Sequence, residues 1–294
     1  MDYFLHVAVL ICFYTLLAQS LDLVAGKTGM VSLAHAGFYG IGAYTTALLT
    51  VLFGTSFWFS LPLSVIVAGV FASVVVAFAW RTVDDYFIMC TLGAQIIIYS
   101  LMNNWIKFTQ GPIGISGIAK LKFPFWMPKS SLSFVLISIA LVLLIWTLLR
   151  NLSRSGFGKT LMAISEDEVY AQSIGKSVYS SKVVAFTLSA MIAAIPGALF
   201  ARYMGLVDPS SFTINDSIFI LSIVIIGGMG NLMGSFLASV FMITVPELLR
   251  FLGLPQNLAA NMRQIVFGAI LIGVMMRGGK GITEFFRSNS RALR

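Results

Sequence analysis

Nine times along this chain the side chains stay apolar for close to the length that crosses a lipid bilayer. A helix needs about 20 such residues to span the hydrocarbon core. At that depth a backbone must satisfy its own hydrogen bonds, which a helix does within one segment. The stretches are residues 4–23, 30–53, 58–80, 86–105, 132–149, 182–204, 217–230, 232–251 and 262–276. They predict an all-α, polytopic helical membrane protein with about nine transmembrane helices, within a range of eight to ten. The seventh is short and ends in Gly227-Gly228-Met229-Gly230-Asn231, so a broken or tilted helix is expected there.

The composition fits. Hydrophobic residues make up 58% and charged residues 10% of the chain, whereas a soluble domain carries about 45–50% and about 25%. No polar linker interrupts the pattern, so residues 1–294 read as a single domain. The net charge of +8 does not point to nucleic acid, because no basic run alternates with aromatics. The start of the chain lacks a positive n-region and a small-residue cleavage site, so the first stretch is expected to remain as a spanning helix. Cys12 and Cys90 both lie inside apolar stretches, where inert buried thiols are the expectation.

The region 150–182 is the most polar interruption. Its core runs Ser165-Glu166-Asp167-Glu168-Val169-Tyr170-Ala171-Gln172-Ser173-Ile174-Gly175-Lys176. Ser165 with Glu168 three residues on predicts a capping box, and Ile164 with Val169 a hydrophobic staple. Acids in the first turn suit the helix dipole. Gly175 suits a left-handed C-terminal position. A helix this short is marginal alone, so it either docks a partner or rests on the rest of its own chain. Just upstream, Ser153-Arg154-Ser155-Gly156-Phe157-Gly158-Lys159-Thr160 nearly matches a phosphate-binding loop. Its first glycine is replaced by Ser153, and a spanning helix precedes it instead of a strand. Nucleotide binding is not expected here.

Polar groups within the spans are candidates for a pathway. His35, Gln95 and Asn103 are such groups; a histidine bonded to a neighbouring helix is the commoner case. Asp22 and Glu247 lie near span ends, where water is expected to reach them, and read as boundary or packing residues. Ser32, Ala36, Gly40, Ala43 and Ala47 form a small-residue face whose ordinary meaning is close helix packing. No nucleophile–base pair or paired carboxylate is visible, so no catalytic, cofactor or metal site is expected. An ion-coupled secondary transporter would call for midspan carboxylates and would have no need of a docking helix.

Four stretches resemble the permease subunits of branched-chain amino acid ABC importers, of the LivM type within the LivH/LivM family. They are Gly26–Tyr44, Thr91–Ile115, Ser165–Gly175 with Pro196-Gly197-Ala198, and Gly227–Leu232 with Pro246-Glu247-Leu248-Leu249. The resemblance implies a coupling helix seated in a cleft of an ATPase subunit. Ala171 and Gly175 fall on its E-A-A-x-x-x-G pattern, with the acids Glu166, Asp167 and Glu168 placed earlier. The resemblance also implies a second homologous permease subunit, two ABC ATPase subunits and a soluble substrate-binding protein, in the bacterial cytoplasmic (inner) membrane. The implied cargo is leucine, isoleucine or valine, moved inward; related permeases serve urea, short amides and other amino acids. Arg277-Gly278-Gly279-Lys280-Gly281-Ile282 departs from the Phe-Arg-Pro run usual at that place.

Orientation follows from the loop charges. Placing 150–182 in the cytoplasm puts twelve of the 19 Lys and Arg residues there. These are Lys27, Arg81, Arg150, Arg154, Lys159, Lys176, Lys182, Arg277, Lys280, Arg287, Arg291 and Arg294. The N-terminus is then outside and the C-terminus cytoplasmic. Reporter fusions after Ser130 and after Gly175 are expected to report opposite sides of the membrane; same-side signals would overturn the arrangement.

Overall fold

The computed structural model describes residues 2–79, 82, 85–119 and 131–251, with 268, 269, 272, 273 and 276 as single positions. The ninth apolar stretch therefore lies almost wholly outside the described residues. The chain is built from α1 (Asp2–Thr28), α2 (His35–Phe53), α3 (Phe57–Ala79), α4 (Asp85–Asn104) and a single turn α5 (Ile106–Thr109). There follow β1 (Ile115–Ser116), α6 (Ser131–Arg154), α7 (Gly156–Glu166), α8 (Glu168–Ser173), α9 (Val178–Met204), β2 (Leu206–Val207), α10 (Ile214–Gly227) and α11 (Leu232–Phe251). Among the described residues, seven helices are long and apolar enough to cross a membrane, and α11 adds a shorter apolar one.

α1 is the central helix. Cys12, Leu16 and Leu23 pack with Val142, Ile145 and Leu149 of α6. Tyr14 meets Phe219 of α10 edge-on at 5.1 Å. The hydroxyl of Ser189 on α9 donates to the Ser20 carbonyl. α1 runs to Thr28, past the apolar stretch that ends at residue 23, because the polar groups beyond that point have partners inside the protein. Asp22, expected near water, is 1% exposed. Its Oδ1 accepts the Gly230 N–H at 2.6 Å, and Lys27 donates to the Gly230 carbonyl at 3.2 Å. Glu247 is half-buried and accepts from the Tyr3 hydroxyl.

The expected break in the seventh stretch is present. α10 stops at Gly227, and Gly228 and Gly230 both take positive φ, 91° and 82°. Most residues other than glycine avoid that region. The turn reverses the chain so that Gly227 and Gly234 pack backbone to backbone.

α2 and α9 run parallel and make the closest helix pair. A side chain at Gly42 would strike Ala194, and one at Gly197 would strike the Tyr39 carbonyl. Small residues permit such approach, and in lipid packing of this kind replaces the hydrophobic effect as the force joining helices. The small-residue face of α2 thus serves packing, together with Gly42. α3 crosses α9 in the opposite sense, with Gly69 against Met191 and Ser73 Oγ 3.2 Å from Thr187 Oγ1.

These pairings sort the helix ends into two layers. One holds the β1–β2 pair, with Ile115 opposite Val207, and Arg202, which donates to the carbonyls of Thr55 and Ala119. The other holds Gly26 against Gly230, and Gly29 against Ser165. Cys12 is buried as expected; Cys90 instead faces outward from α4.

Gly197→Val is expected to prevent folding, because its Cβ meets backbone that cannot move aside. Gly93→Ala is the matched control, since nothing among the described residues lies within 4 Å of a Cβ there. The yield of monodisperse protein after detergent extraction separates the two: near zero for the first, unchanged for the second.

Candidate functional site

Two local structures concentrate the polar groups singled out above. The first is the corner formed by α7 and α8. α6 ends at Arg154 and α7 begins two residues later, with Ser155 Oγ accepting from Gly158 N at 3.3 Å. A side chain at Gly158 would strike the Leu152 and Ser153 backbone, so glycine allows this tight turn. The phosphate-loop look-alike therefore lies on a helix–helix corner, with no strand before it.

The short helix is present, but its start lies two residues beyond the expected one. Ser165 is inside the end of α7, where its hydroxyl donates to the Met162 carbonyl. Asp167 is the true N-cap of α8: Oδ1 accepts from Val169 N at 2.8 Å and Tyr170 N at 3.0 Å. Serine and aspartate are both good caps, and the aspartate wins because α7 has already claimed the serine. The staple is absent. Val169 is 76% exposed, whereas Ile164 packs with Ala171 and Val178.

The other end matches expectation. Gly175 takes φ 77°, Gly175 N–H donates to Gln172 O at 2.9 Å, and Lys176 N–H donates to Ala171 O at 3.0 Å. That pair of bonds is a Schellman motif. Glu168 also forms an ion pair with Lys182 on the first turns of α9. Ala171 is fully buried, and its own chain buries it: Ile164 of α7 and Val178 of α9 close over it. The outward face carries Val169, Tyr170 and Ile174, exposed by 50–76%, with Glu166 and Asp167 also exposed at the corner. Their outward direction was not read from the sequence, where Val169 was expected to pack inward on Ile164 and Tyr170 and Ile174 were not singled out.

The second structure is a buried polar knot at the start of α2. Residues 29–34 are not helical, yet Ser32, Ala34 and His35 are fully buried. Ala34 occupies the N-cap and its side chain offers no cap. The first N–H groups are therefore served from elsewhere. Leu33 N donates to Thr91 Oγ1 at 3.1 Å, Ala36 N to Ser217 Oγ at 3.1 Å, and Gly37 N to Gln95 Oε1 at 2.6 Å. Gln95 Nε2 donates to Phe212 O at 2.9 Å, so both ends of its amide tie α2 to α4 and to the segment before α10. His35 Nε2 lies 2.8 Å from Ser189 Oγ. The hydroxyl hydrogen of Ser189 is committed to Ser20, so His35 Nε2 must be the donor.

His35 and Gln95 are thus brought together around the first turn of α2. Asn103 is not. It lies two turns further along α4, half-exposed, with a long 3.5 Å contact to Asn104 Oδ1. Thr91, Ser189 and Ser217 complete the knot and were not singled out in the sequence. The signal that points to them is the uncapped start at Ala34, whose free N–H groups require acceptors.

The architecture defines a multi-pass, all-α membrane protein. A family model described as the permease component of the branched-chain amino acid transport system matches residues 3–275, and the chain belongs to that family. It is 35% identical over 267 residues to the high-affinity branched-chain amino acid transport system permease protein LivM of Salmonella typhimurium, covering 83% of this chain and 63% of the relative. The LivM protein of Escherichia coli is 34% identical over 270 residues, with the same coverage. This chain therefore spans less than two thirds of the length of those relatives. The autoinducer 2 import system permease protein LsrC of Salmonella typhi is 27% identical over 279 residues, covering 90% of this chain and 76% of the relative. No solved structure matches the chain.

Asp167→Ala is expected to cost the corner about 1 kcal/mol, the usual value of an N-cap, and Asp167→Asn much less. Hydrogen exchange of the 168–174 amides in the purified protein is the measurement. Faster exchange in the alanine variant alone is the expected result; equal rates in both would remove Asp167 as the cap.

Proposed function

We propose that this chain is the membrane-spanning permease subunit of an ATP-driven importer in the bacterial cytoplasmic membrane, moving branched-chain amino acids inward. The observation that carries the reading is the α7–α8 corner. A six-residue helix is too short to stand alone, yet this one is capped at both ends and presents Val169, Tyr170 and Ile174 outward. Such a ledge suits a cleft on another protein. The family membership makes an ATPase subunit the natural occupant, with ATP hydrolysis on that subunit and no covalent chemistry here.

In this reading α8 is the coupling helix. Glu166 and Asp167 flank the contact, Glu168 anchors it to α9 through Lys182, and Ala171 and Gly175 give it its shape. The complex contains two ATPase subunits, a second permease of the same family and a soluble binding protein. The corner then faces the cytoplasm, which agrees with the basic residues gathered at that end of the bundle. The described spans carry no exposed charge at mid-depth. A passage between two permeases would therefore hold a zwitterion weakly and leave discrimination to the binding protein. Asn103, half-exposed, is better placed to line it than His35 and Gln95, which are sealed in the knot.

The LivM relatives are named for branched-chain amino acids and LsrC for autoinducer 2, so the shared framework serves more than one cargo. Uptake in cells carrying the whole system, with radiolabelled leucine and urea compared, tests the assignment. Leucine uptake that stops when the ATPase subunit is inactivated is expected. Urea uptake without leucine would replace the cargo, and uptake independent of the ATPase would reject the importer. Tyr170→Asp is expected to lower leucine uptake at least tenfold while the protein inserts normally. Ala171→Arg is expected to disrupt the corner itself.

A further inference from the structure

Because α1 is enclosed, each side of it can be assigned by its neighbour. Tyr14 marks the side facing α10, Cys12, Leu16 and Leu23 the side facing α6, and Ser20 the side facing α9. Between the α10 and α6 sides lie Thr15, Gln19, Asp22 and Gly26, at spacings of four, three and four that keep them on one face. At its end this face meets Gly230 in the turn leading into α11. α11, which follows that turn, packs along α1, and its buried positions Ser235, Ala238, Ser239 and Met242 form a row of their own.

This seam is polar and shut off from solvent. Thr15, Gln19 and Ser235 are fully buried and Asp22 is 1% exposed. Asp22 Oδ1 is committed to Gly230. Among the described residues, five further atoms have no hydrogen-bond partner: Asp22 Oδ2, Gln19 Oε1, Gln19 Nε2, Thr15 Oγ1 and Ser235 Oγ. At membrane depth no bulk water reaches them, and buried polar groups are as a rule satisfied. The set includes both senses. A bound cation would serve the oxygens but oppose the Gln19 N–H₂, and an anion would oppose Asp22. Water donates and accepts, and a buried water commonly makes about three hydrogen bonds to such groups.

We propose that the α1–α11 seam is a water-binding site, in which bound water bridges Gln19 to Asp22 Oδ2 and to the hydroxyls of Thr15 and Ser235. The inference rests on the packing of α1 and does not depend on the cargo or partners proposed above. It gives Asp22 a role beyond the boundary or packing residue expected from its position. Its carboxylate holds the α10–α11 turn through Gly230 on one side, and the water supports that carboxylate on the other.

Electron cryo-microscopy of the protein in lipid nanodiscs, at a resolution that reveals ordered water, is the direct test. A density peak within hydrogen-bond reach of both the Gln19 amide and Asp22 Oδ2 is expected, unchanged when sodium salts are replaced by choline. Direct contact of the Gln19 amide with Asp22 or Ser235 and no peak between them would overturn the proposal, as would a peak present only in sodium. Thr15→Val supplies a second reading. Removing one partner of a bound water is expected to lower the thermal unfolding midpoint by a few degrees, and an unchanged or raised midpoint would overturn the proposal.

Discussion

The structure depends most on how it treats the backbone between Thr28 and Gly37. The chain leaves one helix and starts another within buried surroundings, and each N–H exposed by that break needs an acceptor. Lipid offers none. An unsatisfied buried donor costs about 1–3 kcal/mol, so a break left unserved would be untenable. Thr91 and Gln95 come from α4 and Ser217 from α10; Thr91 accepts the Leu33 N–H just ahead of the restarted helix, and Ser217 and Gln95 accept N–H groups of its first turn. Meeting this demand also fixes geometry: two helices, α4 and α10, must stand where their acceptors reach, and His35, on the same turn, adds α9 through Ser189.

Around that knot the bundle closes through small residues. Gly42 with Ala194, Gly197 with Tyr39 and Gly227 with Gly234 bring backbones into contact, and dispersion between such close surfaces is the available attraction in lipid. The irregular segments then gather at one end of α1. Gly29 packs near Ser165 of α7, and Lys27 and Asp22 hold Gly230 of the α10–α11 turn. The end of the central helix is thus in contact with both the corner that presents α8 and the hairpin that carries α11.

Much of this was readable in the sequence. Segment length and apolarity located the described spans to within about five residues at each end, because crossing the hydrocarbon core sets a common apolar length of about 20 residues. The glycine-rich break in the seventh stretch and the left-handed Gly175 were also readable, since local backbone chemistry decides them. The errors arose where a distant partner overrides a local rule. Asp22 was expected near water, as a boundary or packing residue, because Gly230, which donates to it, lies 208 positions away. Ser165 looked like a cap because the helix that absorbs it, α7, carries little apolar signal of its own. Gln95 could have lined a path or tied helices; Gly37 and Phe212, 58 and 117 positions away, use both ends of its amide.

The placement of Ala171 bears on how a force applied at the corner would travel. An alanine on an exposed docking face would let α8 slide against the bundle, since the partner would supply most of its packing. Here Ala171 is closed in by Ile164 and Val178, so α8 sits tightly on α7 and on the start of α9. Asp167 and Gly175 fix its two ends, and the Glu168–Lys182 ion pair ties its first turn to α9. With all three attachments, α8 cannot be displaced far without carrying the start of α9 along. α9 in turn lies against α1, α2 and α3, and meets α2 at glycine contacts too close to absorb a shift by rearranging side chains. Interiors packed this tightly transmit strain. A load on Val169 and Tyr170 would therefore be delivered to the helix that organises half the bundle, and the small buried alanine is what makes that attachment stiff.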